Sequence, residues 1–164
     1  MKIETIMKHD VKVCSQDDNL NTAARLMWDH DCGCLPVITS NGNGAVIGML
    51  SDRDICMAAY TQGKCLSDIP VTVAMSHSVL SCKPSDDLAL AEAMMREASI
   101  HRIPVVDENN AVLGLLSLTD IARNALSLGE GKVALGTQAE VTRTLAAIRE
   151  PRGGRELEVL PKAA

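Results

Sequence analysis

A seven-residue pattern, Gly-x-x-Ser-x-x-Asp, occurs twice in the chain, as GMLSDRD over residues 48–54 and as GLLSLTD over residues 114–120. The glycine allows a ligand to approach the backbone closely. A serine at the start of a helix places its hydroxyl beside free backbone N–H groups, which suits a phosphate. An aspartate three residues later can accept two hydrogen bonds from neighbouring sugar hydroxyls. The pattern therefore predicts that phosphate and ribose are bound by Ser51, Asp54, Ser117 and Asp120.

The same residue types also have a purely structural interpretation. A serine followed three residues later by an acidic residue is the pattern of a capping box, in which the two residues close the start of a helix. For one copy alone, capping is the simpler interpretation. The occurrence of the whole pattern at the same place in two repeats favours a function in binding.

The two halves of the chain are related by a sequence repeat, which identifies the architecture before any element is assigned. Positions before the central turn recur at an offset of 68, as from Met7 to Met75, and later positions at 66, as from Gly48 to Gly114. The offset changes where SNGNG stands opposite DENN, and such turn residues tolerate changes in length. The chain therefore uses one folding unit twice.

Within each copy the spacing of apolar residues changes from helical to strand-like and back. The first helix follows a polar start, SQDD or KPSDD, whose serine and aspartates can cap it. Two short β-branched runs separated by a turn predict a hairpin, and a second helix follows. The predicted helices span residues 18–30, 52–60, 86–98 and 119–126, and short first strands span residues 11–14 and 79–82.

A single unit of this kind has too little sheet to cover both of its faces, so two copies should pack face to face. The predicted fold class is α+β, with two β-α-β-β-α repeats related by pseudo-twofold symmetry. The repeats are assigned to residues 1–62 and 63–128. Residues 129–164 are predicted to form a linker, a short amphipathic helix over residues 138–149 and a flexible tail.

Composition and charge argue against nucleic acid and membranes as partners. Trp28 and Tyr60 are the only aromatic residues, which leaves almost no platform for stacking bases, and the net charge of −5 opposes a phosphate backbone. No apolar run reaches the roughly 20 residues that span a bilayer, and the N-terminus lacks the apolar stretch of a signal peptide. We therefore expect a cytoplasmic protein.

The cysteines and histidines form no recognisable catalytic or metal-binding set. None of the six cysteines lies in a Cys-x-x-Cys knuckle, and several lie in apolar runs, which is typical of buried free thiols. His30 with Cys32 and Cys34 gives only an incomplete, crowded zinc-ligand set. No local arrangement of serine, histidine and acid stands out, so we expect no enzyme and no metal.

The duplicated order, the Pro-Val pair in each hairpin and the endings GMLSDRDI and GLLSLTDI resemble the CBS domain, named after cystathionine β-synthase, over about residues 1–126. The resemblance implies that an adenosine-type ligand (AMP, ADP, ATP or S-adenosylmethionine) binds between the sheets. It also implies that the two aspartates contact ribose and that the two serines approach phosphate. The resemblance further places an aliphatic adenine slot at Val13, Leu35, Ser81 and Ile103.

The two copies differ in their basic residues. The second has His101 and Arg102 before its Ile-Pro, which is similar to family members with a phosphate-facing basic group there, whereas the first has Gly33 and Cys34. Arg53 is the first copy's own candidate. A solvated strand edge is an equally weighted alternative for the basic pair of the second copy. The two clefts should therefore differ, with the stronger site at Asp120.

The predicted function is a regulatory module that senses an adenine nucleotide or S-adenosylmethionine, requires no cofactor and acts in trans on a partner protein. A homodimer is the default that the resemblance implies, with the C-terminal helix as one candidate contact. A structural dimerisation module with vestigial clefts is the first alternative. A thiol or metal sensor is the second, built on Cys14, Cys32, Cys34 and Cys82.

Overall fold

The computed structural model describes residues 1–41, 43–127 and 132–149. The first repeat forms strand β1, helix α1, the hairpin β2–β3 and helix α2. β1 pairs in parallel with β2, and β2 pairs antiparallel with β3. The bounds of these elements are β1 Cys14–Ser15, α1 Leu20–Asp29, β2 Cys34–Ile38, β3 Val46–Ser51 and α2 Asp52–Gln62.

The second repeat has the same order, and a short helix, α3, lies in the segment that opens it. β4 pairs antiparallel with β5, and Cys82 makes a single parallel bridge to Val105 where the first repeat has β1. The predicted mixed α and β fold with two similar repeats is confirmed. The remaining bounds are α3 Val71–Ala74, α4 Leu88–Ala98, β4 Arg102–Val106, β5 Val112–Ser117, α5 Leu118–Ser127 and α6 Lys132–Arg149.

Several predicted boundaries differ from the observed ones by two residues or more, and those of α1, β1 and α6 are examples. α1 is capped by Asn19, whose side chain accepts the N–H of Thr22 at 2.9 Å, because Asp18 is instead held in a turn by the N–H of Ser15 at 2.8 Å. That turn also moves the first strand to Cys14–Ser15 from the predicted residues 11–14. α6 begins at Lys132 rather than at residue 138, so residues 132–137 of the predicted linker are helical. The predicted tail falls outside the described residues.

The segment that opens each repeat packs on the other repeat. Ile3 and Met7 are buried in the core of the second repeat, whereas Ile69 and Met75 are buried in the core of the first. The crossing segments pair with the last hairpin strands: Lys8 with Leu115, and Ser76 with Met49. A single repeat would therefore lack part of its own core, so the two repeats stabilise each other.

The outer helices of the two repeats differ in how they are covered. α6 lies on α4 and α5 of the second repeat and buries Val141, Thr144 and Ile148, and Arg96 donates a 3.1 Å hydrogen bond to the Thr144 hydroxyl. In the first repeat, α1 and α2 border an open groove of about 560 Å³. Trp28 beside this groove is 87% exposed.

Candidate ligand-binding cleft

Both Ser–Asp pairs of the repeated pattern form capping boxes. The Ser51 hydroxyl accepts the Asp54 N–H at 3.2 Å, and the Asp54 carboxylate accepts the Ser51 N–H at 2.9 Å. Ser117 and Asp120 make the same two contacts, at 3.2 and 3.0 Å respectively. The structural interpretation of the pattern is therefore confirmed in both copies. A function in ligand binding therefore depends on side-chain atoms that the caps do not use.

In each pair one carboxylate oxygen is used by the cap and the other is not. Asp120 Oδ2 accepts both the backbone N–H and the hydroxyl of Ser117, while Oδ1 lies 3.7 Å from Lys8 Nζ. The Ser117 hydroxyl already donates its proton to the aspartate, so it would have to turn before donating to a phosphate. The aspartate is thus better prepared for a ribose hydroxyl than the serine is for a phosphate.

The glycine of the pattern serves the fold rather than a close ligand approach. A Cβ on Gly114 would lie 2.7 Å from the backbone oxygen of Lys8, and a Cβ on Gly48 would lie 2.5 Å from Met75 Sδ. Each glycine therefore makes room for the segment that crosses over from the other repeat. The sequence-based explanation, space for a ligand, is wrong because the exchange of segments was not visible in the sequence.

A cleft of about 330 Å³ opens beside Asp120, within the size range of small-molecule sites. Residues 8 and 10–12 form one wall, and residues 30–34 of the first repeat form another. The second repeat contributes the ends of β4 and β5 and the start of α5. The cleft thus lies between the two repeats, so a bound molecule would contact both.

The structure brings together three of the predicted site residues and separates others from them. Arg102, Ser117 and Asp120 all line the cleft. Leu35 and Ile103 do not, because both are fully buried in the two hydrophobic cores, paired with the next strand of each hairpin. Their placement in an adenine slot is therefore wrong. Their neighbours Cys34 and Arg102 reach the cleft instead.

Four other predicted contacts, Val13, Ser81, His101 and Arg53, are not among the residues that line the cleft. Val11, rather than Val13 two residues later, is the aliphatic residue of this segment that lines it. Ser81 occupies the position equivalent to Val13 in the second copy and is half-buried. His101 lines an adjacent cavity of about 430 Å³ that also borders Leu145 of α6. Arg53 is exposed at the start of α2.

Three basic residues of the cleft were missed by the sequence analysis. Arg123 lies one helical turn after Asp120, so its spacing could have identified it. Lys8 and Lys12 also line the cleft, but they come from the segment that opens the first repeat. No local spacing relates them to Asp120, because only the crossing of chain segments brings them there.

The buried cysteines are held in the protonated form. Burial raises the pKa of the Cys14 thiol to about 12, and it raises the pKa of the Cys34 and Cys82 thiols to about 11. Thiolates are the form that binds metals and attacks electrophiles, so these thiols are poorly prepared for either chemistry at neutral pH. Among residues 1–41, 43–127 and 132–149, no group of three His, Cys, Asp or Glu side chains could hold a metal ion.

Across the described part of the chain, no helix has the length and apolar character needed to cross a membrane.

Comparison with known proteins agrees with this architecture. The CBS domain family model matches residues 3–60 and 66–127. The CBS domain-containing protein YhcV of Bacillus subtilis (strain 168) is 35% identical over 125 residues, which are 76% of this chain and 86% of that protein. The 5′-AMP-activated protein kinase subunit gamma-3 of Bos taurus is 32% identical over 133 residues, 77% of this chain but only 26% of that subunit.

A solved structure shows the same fold at lower sequence identity. It is the CBS domain pair of protein MJ0100 in complex with 5′-methylthioadenosine and S-adenosyl-L-methionine, with a TM-score of 0.69 and 20% identity. The match covers 78% of this chain and 98% of that one. The repeat, the hairpins, the paired caps and these matches lead to one conclusion: the chain belongs to the CBS domain family and carries two CBS domains.

Proposed function

We propose that this chain is a non-catalytic regulatory module that binds an adenosine-containing ligand in the Asp120 cleft and acts on a separate partner protein. One observation carries the proposal. Asp120 is only 9% exposed, yet it borders a cleft between the repeats and has one carboxylate oxygen outside its cap. The MJ0100 pair in complex with two adenosine compounds and the name of the kinase subunit support the choice of ligand class.

In this proposal each part of the ligand has its own contacts. Asp120 Oδ1 accepts the ribose hydroxyls, the aliphatic side chains of Val11 and Leu115 border the base, and Arg102 faces the phosphates. Ser51 and Asp54 are the proposed contacts of a second, weaker site. Val13, Ser81, His101 and Arg53 remain candidate contacts around the two sites.

Regulation would follow from the position of the Asp120 cleft. Its walls come from the segment that opens the chain, from the loop before β2 and from the β5–α5 junction. A ligand that contacts all three favours one relative placement of the repeats, and a partner protein that prefers this placement binds more tightly. The ligand can change the partner's binding affinity by no more than the ratio of its own affinities for the two placements of the repeats.

We also propose that two copies of the chain associate through α1 and α2 of the first repeat. Trp28 and Tyr60 on these helices are 87% and 75% exposed, and the groove beside them is bordered by Met27, Ile55 and Ala59. The equivalent face of the second repeat is already covered by α6. A second copy is the proposed occupant, because the bare face is present on every chain and can pair with itself.

Two isosteric substitutions test the proposed site. Asp120→Asn retains an oxygen for the cap but replaces the other carboxylate oxygen with a donor, so it should weaken AMP and ATP binding at least about tenfold. Asp54→Asn alters an identical cap in the first repeat and is the matched control for stability. Isothermal titration calorimetry measures both. Equal ligand affinity in Asp120→Asn and the unsubstituted protein would refute the proposed ribose contact.

The second candidate function is a structural dimerisation module, and the two complete capping boxes are the observation that favours it. Thermal unfolding with and without millimolar adenosine, AMP, ATP and S-adenosylmethionine separates the two candidates. A ligand at 100 times its dissociation constant stabilises the folded state by about 2.7 kcal/mol. An unchanged melting temperature with every compound would leave the structural function as the better account.

A further inference from the structure

Four lysine and arginine side chains line the Asp120 cleft, although the chain as a whole has a net charge of −5. They come from three different parts of the fold. Lys8 and Lys12 lie in the opening segment, Arg102 is the first residue of β4, and Arg123 lies in α5. His30 also lines the cleft. Basic side chains from separate elements of an acidic protein are therefore brought together in one cleft.

Only some of this charge is neutralised within the protein. Lys12 Nζ lies 2.8 Å from Asp10, and Lys8 Nζ lies 3.7 Å from Asp120. Arg102 and Arg123 form no ion pair with any residue of the described ranges. Asp31 is the third acidic residue of the lining. Two guanidinium groups therefore line the cleft without an ion-pair partner in the described part of the chain.

The corresponding positions around Asp54 carry no basic side chain. Residues of the two crossing segments can be matched by their strand pairing. Ser76 corresponds to Lys8, because Ser76 pairs with Met49 as Lys8 pairs with Leu115. By the same repeat offsets, Arg123 corresponds to Met57 and Arg102 to Cys34. The full set of equivalents of Lys8, Lys12, Arg102 and Arg123 is Ser76, Leu80, Cys34 and Met57. The four cations thus belong to one copy alone and not to the repeated fold.

We infer that the Asp120 cleft selects adenosine ligands by their phosphate chain and prefers the triphosphate over AMP, adenosine or S-adenosylmethionine. This inference rests on the proposed function, and it further specifies that the preferred ligand carries several negatively charged phosphates. One guanidinium group can donate two parallel hydrogen bonds to the oxygens of a phosphate. Two arginine side chains on different elements therefore suit two separate phosphates. A ribose hydroxyl at Asp120 Oδ1 would also free Lys8 to approach the phosphate chain. The positions equivalent to Arg102 and Arg123 in the first repeat, Cys34 and Met57, offer no such groups.

Calorimetry with adenosine, AMP, ADP and ATP in magnesium-free buffer tests the inference. We expect affinity to rise at least about tenfold from AMP to ATP, since the added phosphates can accept charge-assisted hydrogen bonds from the arginine side chains. The gain should shrink when KCl is raised from about 50 to about 300 mM, because salt screens exposed charges. Adenosine affinity should change little with salt.

A pair of charge-matched variants locates the effect. Arg123→Met gives the cleft the residue that the first repeat has at this position, and it should lower ATP affinity at least about tenfold while leaving adenosine affinity unchanged. Arg25→Met removes the same charge from the exposed surface of α1 and should alter neither affinity. Circular dichroism confirms that both variants are folded.

The outcomes separate this inference from the proposed function. Equal affinity for adenosine, AMP and ATP would overturn the phosphate preference while the adenosine site stands. Equal ATP affinity in the two arginine variants would overturn the assignment of that preference to the basic side chains of the Asp120 cleft. Binding of inorganic tripolyphosphate as tight as that of ATP, with no binding of adenosine or AMP, would overturn the proposed adenosine site and leave an anion site. Absence of binding by every compound would overturn both.

Discussion

The first and second repeats share their hairpins and helix caps but differ in two surfaces. Around Asp120 the cleft has four lysine and arginine side chains, whereas the equivalent positions around Asp54 have none. The outer helices of the second repeat are covered by α6, whereas those of the first border an open groove. The two repeats are therefore similar in the residues that form the fold and different in the residues at the proposed ligand-binding and dimer surfaces.

The largest expected difference between the repeats concerns their two equivalent glycines. Gly114→Ala would bring a Cβ to 2.7 Å from a backbone oxygen, which cannot move without shifting the crossing segment. Gly48→Ala would mainly meet the side chain of Met75, which can change rotamer more easily than the backbone can shift, and the nearest backbone oxygen, that of Ser76, lies farther away at 3.1 Å. We expect a loss in the free energy of unfolding of about 3 kcal/mol for Gly114→Ala and about 1 kcal/mol for Gly48→Ala.

Urea unfolding followed by circular dichroism measures both variants. Both substitutions replace a glycine at the equivalent strand position by alanine. They lower the entropy of the unfolded state by the same amount, so this contribution cancels when the two losses in the free energy of unfolding are compared. Equal losses would show that the two crossing segments are equally adaptable, contrary to the contacts described here.

The next effect concerns the exposed helices of the first repeat. Trp28→Glu places a charge at the centre of the proposed dimer contact and should raise the dimer dissociation constant about 30-fold, equivalent to about 2 kcal/mol. Leu90→Glu introduces the same charge on an exposed position of α4 in the second repeat and should leave the dimer intact. Light scattering after size-exclusion chromatography gives the mass of each species. A dimer that survives Trp28→Glu would place the interface elsewhere.

The smallest expected effect concerns Glu92, a buried carboxyl of α4, one oxygen of which has no hydrogen-bond partner among the described residues. Burial and then the nearby Glu140 raise the pKa of Glu92, while Arg96 opposes the shift. The folded state therefore holds this proton more tightly than the unfolded state does. Stability should fall as pH rises from the ordinary pKa of glutamate to the raised one. The first repeat has Ala24 at this position.

Glu92→Gln removes this pH dependence. It should stabilise the protein by about 1 kcal/mol at about pH 8 and have no effect below about pH 4, where the unsubstituted carboxyl is protonated in both states. Urea unfolding at the two pH values measures the difference. Glu97→Gln, an exposed change on the same helix, is the control. Equal effects of the two substitutions at high pH would show that burial of Glu92 is not the cause.

The fold could be predicted further than the site. Periodicity within each copy predicted the hairpins and helices, because those signals are local. The crossing of the opening segments depends on contacts between residues far apart in sequence, such as Lys8 with Leu115. Those contacts explain why the glycines were misinterpreted and why Lys8 and Lys12 were missed. Leu35 was misplaced because a strand buried on both faces shows no alternation to indicate which side chains face a cleft.

The two clefts can be compared most directly in a crystal structure of the chain grown with one equivalent of ATP. The account predicts density for one nucleotide, with its ribose on Asp120 and its phosphates beside Arg102 and Arg123. The equivalent position at Asp54 should remain free of nucleotide. ATP bound at Asp54 with the Asp120 cleft empty, or bound equally at both, would contradict the account.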